Sequence, residues 1–251
     1  VALVFRQSEN MTTYEVRSAG KSLRLYTNGV FHSQYHPDYL FNGGIWDALS
    51  LPAIFTPRHL EKILVLGVGG GTVIHQLAQL TSPVSIIGID INAMHLKIAQ
   101  KHFALKYPCL ELIHGDAVAY TAARKNQFDM IVDDIFLEGE NNPYRPVAQS
   151  GRWLELLSAR LGENGILVRN HLSQREAASS LEQHGEYIQS SFLSGIEITV
   201  PCYENAIHVY CKNALTTRAA RRAASVFTTT SLKKQDYTKL RYRLRKLFVN
   251  G

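Results

Sequence analysis

The sequence predicts an α/β protein built on a doubly wound, mostly parallel sheet with helices on both faces. Two observations carry that expectation. From about residue 63 to 211, short apolar runs alternate with segments of helical apolar spacing, the pattern of parallel strands joined by crossover helices. Within that stretch, ILVLGVGGGTVIHQLAQLTSPVSIIGID (63–90) reads as strand, glycine turn, helix, strand and terminal acid. A third observation sets the ends apart: two-residue alternation near the start, and a strongly basic segment after 213.

Residues 1–55 are read as a small antiparallel β unit with a lead-in helix. Strands are predicted at 13–17 and 22–26 around Gly20, and Asn28-Gly29 is a hairpin turn before a strand at 30–33. The lead-in over 37–51 becomes helical, with Ile45, Trp46 and Leu49 on one face, until Pro52 and Pro57 interrupt it.

Residues 56–213 are read as the main domain. Strands are predicted at 63–66, 84–89, 110–114, 129–134, 166–170, 196–201 and 207–211, seven in all. Helices are predicted at 72–80, 93–103, 117–124, 153–161 and 176–190, with a loop holding Asn141, Asn142 and Pro143, and turns at Gly162 and Asn164-Gly165.

Charge is unevenly distributed. Residues 214–251 hold ten Lys and Arg and one Asp, +9, which leaves 17 bases and 20 acids elsewhere, −3. This tail is predicted to be helical, first ALTTRAARRAAS and then, after Thr228–Ser231, an amphipathic helix KKQDYTKLRYRLRKLF with Tyr237, Leu240 and Leu244 on one face. A basic helix lying over its own acidic body, packed through Leu240, Leu244 and Leu247, is preferred to a nucleic-acid contact. No apolar run reaches the roughly 18 residues of a membrane span. Three cysteines without metal-ligand spacing, and no signal-peptide pattern, predict a reduced, cytoplasmic protein that binds no metal and no membrane.

The glycine turn indicates the chemistry. Gly67, Gly69, Gly70 and Gly71 let backbone approach a ligand, and the helix start behind them offers unpaired N–H groups. Asp90, about twenty residues on, can accept hydrogen bonds from a ribose diol, with Ile91 beside it. Thr72 stands where a nicotinamide-binding turn would have its last glycine. Asp116 and Ala117 can bring a carboxylate and an N–H to an adenine edge, and Asp134 ends the fourth strand above the turn. Together these predict an S-adenosyl sulfonium donor rather than a dinucleotide.

Residues 20–212 resemble the spermidine synthase (polyamine aminopropyltransferase) family within the class I S-adenosylmethionine-dependent methyltransferase fold, which is Rossmann-like. The resemblance rests on GVFHS and its lead-in, the glycine turn, IGID, HGDAVAY, FDMIVDD, LGENGILV and VPCY. It implies that Asp116 and Ala117 contact adenine and that His32 replaces a donor-side glutamine. It also implies that Asp134 helps deprotonate an attacking amine, that Tyr203 lies near the acceptor, and that the chain dimerises. Three departures stand out. Gly70 replaces the aspartate that holds the donor's propylamine. Gly88 replaces a ribose-binding glutamate. Asp134-Ile135-Phe136-Leu137-Glu138 replaces DSSDP, so the second acceptor aspartate is lost.

With those carboxylates gone, the sequence favours methyl transfer from S-adenosylmethionine to an unidentified small-molecule acceptor, with Asp134 and Tyr203 as the catalytic pair. The alternatives are aminopropyl transfer from decarboxylated S-adenosylmethionine, methyl transfer to nucleic acid, and non-catalytic adenosyl binding.

Overall fold

The structure, a computed structural model, describes residues 1–136, 151–230 and 239–250. The expected loop at Asn141, Asn142 and Pro143, the pair Leu137-Glu138, and Tyr237 lie outside the described residues.

Four strands form a separate antiparallel sheet in sequence order: β1 (Ala2–Glu9), β2 (Thr12–Ala19), β3 (Ser22–Thr27) and β4 (Val30–Tyr35). The Asn28-Gly29 hairpin is where the sequence puts it, with both residues at positive φ. Strand β1 was not predicted. It is exposed almost throughout, so it lacks an apolar alternation, and its turn runs through Asn10 and Met11, both at positive φ. The buried side of the sheet carries Tyr14, Val16 and Leu25. These pack on Met94 and Ile98 of helix α3 (Ala93–His102) and on Phe103. That packing fixes β2 and β3, and with them the paired β4, beside the main sheet.

The lead-in is shorter than expected. Helix α1 (Ile45–Ser50) passes directly into a 3₁₀ turn, Leu51–Ile54, with Pro52 in its first turn. Then come β5 (Lys62–Leu66), α2 (Thr72–Thr81), β6 (Ser85–Asp90), α3, β7 (Leu110–His114), α4 (Ala117–Ala123) and β8 (Phe128–Asp133). The second half has α5 (Gly151–Ala159), β9 (Leu161–His171), α6 (Gln174–Ser191), β10 (Ser194–Thr199), β11 (Ala206–Cys211), α7 (Thr217–Thr230) and β12 (Arg243–Val249). Strand β9 starts at Leu161, but its pairing with β8 jumps from Leu161 to Ile166, and Gly165 folds back so that its Cβ position is 2.7 Å from the Leu161 Cβ, which is the turn predicted at 162–165.

Among the described residues the main sheet has eight strands in the order β12-β10-β11-β9-β8-β5-β6-β7. The run from β9 to β7 is parallel, and the other three strands are antiparallel. One core lies on each face, with Ile63, Val65 and Val168 on one side and Leu64, Leu66 and Leu167 on the other. Because β5 and β6 adjoin, the glycine turn after β5 and Asp90 at the end of β6 meet at one edge, the binding position of an open α/β sheet.

The eighth strand corrects the tail. The first predicted helix is there as α7, but residues 243–249 are β12, hydrogen-bonded to β10. A register shift between Gly195 and Ile196 lets Leu244 enter one core and Phe248 the other. Gly195 makes the room, since a Cβ there would stand 2.4 Å from the Phe248 ring. The spacing of Leu240 and Leu244 satisfied a helix, but an open edge on β10 decided the outcome.

Candidate S-adenosyl site

A cavity of about 900 Å³ opens at the carboxyl ends of β5, β6 and β8, roofed by β2 and β4. That is near the upper end of the range for small-molecule sites, large enough for a donor and an acceptor together. Of the predicted site residues, His32, Gly67, Gly69, Asp90, Ile91, Asp116, Ala117, Asp134 and Tyr203 all line it.

The turn is built by close approach. Gly67, Gly69 and Gly71 have φ of +88°, +53° and +83°, and a Cβ on Gly67 would lie 2.2 Å from the Asp134 carbonyl oxygen. Gly70 and Gly71, expected to contact a ligand, shape the turn instead and do not line the cavity. Gly70 N–H donates to Ser33 Oγ at 2.7 Å, and its Cβ position is 2.7 Å from the Ser33 Cβ. Gly71 packs against Leu105, whose Cδ2 lies 2.4 Å from its Cβ position.

Asp90 closes the turn. Its Oδ2 accepts from the N–H groups of Val68 and Gly69 at 3.0 and 2.9 Å, and Oδ1 from Asn92 N–H at 2.8 Å. Burial pushes its carboxyl up. The His95 side chain, Nδ1 at 3.8 Å, and the N–H groups of Asn92 and Gly69 outweigh burial and hold it below the usual carboxylate range. Asn92, not Asp90, caps α3, accepting from Met94 and His95 N–H. Gly88 faces Ile74, Leu112 and Val68, whose atoms come within 2.8 to 3.1 Å of its Cβ position, so a side chain there would have no path to the cavity. The carboxylate at this edge of the cavity is therefore Asp90. His32 lies beside it, its ring 5.0 Å from that of His95.

Asp116 caps α4, accepting from Val118 N–H at 2.7 Å and Ala119 N–H at 3.3 Å. Its carboxylate is thus used locally even though it faces the cavity. Ile91, 54% exposed, and Ile135 are apolar surfaces next to it.

At the other end lies Asp134. Its Oδ1 accepts from Asn170 Nδ2 at 2.7 Å, and Asn170 Oδ1 accepts from Asn205 Nδ2 at 3.0 Å. Tyr203 follows Cys202, whose φ of +70° redirects the chain. Its hydroxyl lies 3.3 Å from the Gly44 Cβ position, and burial pushes its pKa up. The loop it rests against is held by buried Asp47, which accepts from Gly43 N–H at 2.7 Å and Gln76 Nε2 at 2.6 Å. Burial pushes the Asp47 carboxyl up to about 6. Phe31 and Trp46, with ring centroids 5.0 Å apart, form an apolar wall.

Sequence reasoning missed Asn170, Asn205, Asn92 and His95. Asn92 had a legible signal, an N-cap residue before a helix. Asn170 had none, because its partner is thirty-six residues away.

The sheet order, the glycine turn and the strand-end aspartates define a class I S-adenosylmethionine-dependent methyltransferase fold. Residues 63–154 match a family model described as "Methyltransferase domain". The polyamine aminopropyltransferase of Aeropyrum pernix is 22% identical over 70% of this chain and 61% of its own length. The chain therefore spans less than two thirds of that relative. A probable spermidine synthase from Corynebacterium glutamicum superimposes with a TM-score of 0.75 at 15% identity, over 98% of this chain and 91% of the other. A spermidine synthase in complex with the transition-state analogue AdoDATO gives 0.67 at 13% identity, over 93% and 79%. The chain is thus similar in sequence to polyamine aminopropyltransferases and in fold to spermidine synthases.

Proposed function

We propose that the chain is an S-adenosyl-dependent transferase that passes an alkyl group to a small amine acceptor. The observation that carries this reading is Asp134, set at the end of β8 against the glycine turn and hydrogen-bonded by Asn170. The cavity fits such a donor. Gly67 and Gly69 line it with bare backbone, Asp90 stands at the ribose position, and Ile91, Ala117 and Ile135 border an apolar slot for adenine.

A bound sulfonium donor supplies an already activated alkyl group. The chain's residues then have three tasks. Asp134 takes the proton of the attacking nitrogen, Asn170, itself held by Asn205, fixes that carboxylate, and Phe31 and Trp46 exclude water. Tyr203 bounds the acceptor side.

The relatives are named for aminopropyl transfer. That supports an aminopropyl group from decarboxylated S-adenosylmethionine over the methyl transfer that the sequence favours. A second reading, methyl transfer, has one specific observation behind it. Gly70 is pressed against Ser33, so among the described residues no carboxylate stands where the resemblance calls for one to hold a propylamine.

Incubation with each donor and a panel of amines, read by mass spectrometry, tests both. Amine-dependent methylthioadenosine, lost in Asp134→Asn, is the expected result. S-adenosylhomocysteine in its place would establish the second reading. Donor binding without either product would overturn both.

A further inference from the structure

Among the described residues, the bases of the segment after 213 are exposed, and Arg245 alone is laid against an acid of the body, Glu197. On α7, buried Ala220 and Ala224 face the core, and Arg218, Arg221 and Arg222 are exposed on the rest of the helix. On β12, Leu244 and Phe248 turn inward, and Arg243, Arg245 and Lys246 are exposed. The two sets adjoin, since Arg221 Nη2 donates to the Leu244 carbonyl at 3.0 Å. Among the described residues Arg245 is the one of these six in an ion pair, with Glu197, and its side chain is still 65% exposed.

We propose that this edge binds the phosphodiester backbone of a nucleic acid, without sequence preference. Among the described residues this stripe of bases is paired with one acid, Glu197, and it complements a row of phosphates. From Arg243 to Lys246, at about 3.3 Å per residue, the strand's bases reach roughly 10 Å, alongside about six duplex phosphates at one charge per 1.7 Å, and the α7 arginines extend the patch. An anionic membrane is the poorer partner because Leu244 and Phe248 of β12 are buried in the cores and Leu247 and Val249 are half-buried. Among the described residues the large apolar side chain exposed on α7 is Val226, so little is available to enter a bilayer. This inference does not depend on which group the cavity transfers.

Fluorescence anisotropy with the full chain tests it, using a labelled 20-nucleotide single-stranded RNA and a 20-base-pair DNA duplex. With about five phosphate contacts, affinity should fall roughly a hundredfold for the single strand and about five-hundredfold for the duplex between 50 and 200 mM salt. The variant R218Q/R222Q/R243Q/K246Q should bind at least tenfold more weakly with a shallower salt slope. The variant R218K/R222K/R243K should keep affinity, as should K97Q/K101Q, which removes exposed bases from α3. Three results would overturn the proposal: no salt-dependent binding, equal affinity for wild type and the four-site Gln variant, or binding to phosphatidylserine vesicles but to neither oligonucleotide.

Discussion

Asn170 Nδ2 donates to Asp134 Oδ1 at 2.7 Å, and the residues just before them, Arg169 and Asp133, pair at 3.0 Å from Nε to Oδ2. Two successive rungs between β8 and β9 therefore hold the cavity's acid in place. A hydrogen bond to a charged group contributes about 1.5–3 kcal/mol. Asn170→Ala should lower kcat by roughly ten- to a hundredfold and leave donor affinity nearly unchanged. An equal loss in calorimetric donor binding would count against a role confined to Asp134.

The Arg169–Asp133 rung is fully buried, Trp153 Nε1 also donates to Asp133 at 3.2 Å, and Arg169 Nη1 and Nη2 lack partners among the described residues. Removing one partner of a buried pair costs about 3–5 kcal/mol, because the other charge is left behind. Arg169→Met should show that loss in urea denaturation, and Arg169→Met with Asp133→Asn should recover much of it. A double variant no more stable than the single would mean that the uncompensated charge is not the source of the loss.

Donor choice can be tested at Gly70. Ser33 occupies its Cβ position, so Gly70→Asp alone should destabilise the fold by about 1–3 kcal/mol through overpacking. Ser33→Gly with Gly70→Asp gives the carboxylate room. It should raise affinity for decarboxylated S-adenosylmethionine relative to the ordinary donor by about tenfold, the effect of a charge-assisted hydrogen bond. Unchanged relative affinities in a double variant that melts like wild type would remove this position from donor selection.

Acid should act through Glu197. The His208 hydrogen bond, then Arg245, outweigh burial and hold the Glu197 carboxyl down at about 2. Burial lowers the His208 pKa, and with the Tyr210 hydroxyl 2.8 Å from Nδ1 the neutral ring can donate from Nε2 to Glu197. A depressed carboxyl contributes stability above its unfolded pKa of about 4.3 and loses it as pH falls through the folded value. Wild type should therefore weaken between about pH 4.5 and 2 more steeply than Glu197→Gln, measured as urea midpoints. Asp47 has the opposite sign. Its raised carboxyl favours the fold below its unfolded pKa of about 3.9, and that contribution is lost as pH rises through 6.

The parallel half of the fold was legible because each strand there carries its own apolar run and each helix its own spacing. Strand β7 falls where the sequence predicts it, at Leu110–His114. The glycine turn, Asp90 and Asp134 were legible as well, since strand ends gather at one edge. What the sequence did not reveal depends on distant partners. Strand β12 needs the space above Gly195, and the part played by Gly70 depends on Ser33, thirty-seven residues earlier. Asp116 carried both a capping and a ligand reading. The cap is present, with the cavity beside it.

The pairing of β12 with β10 also constrains the order in which the protein folds. Strand β11 and helix α7 lie between the two in sequence, so β10 can pair with β11 well before residues 243–249 reach its other side. Until then one side of β10, with Ile196 and Ile198, offers unmatched backbone donors and acceptors to any neighbouring chain. The slow step is a long-range one, and the species waiting for it is the one prone to stick. Arg243, Arg245 and Lys246 arrive with the closing strand. The residues that end the exposure also leave a charged rim that discourages a further strand from adding.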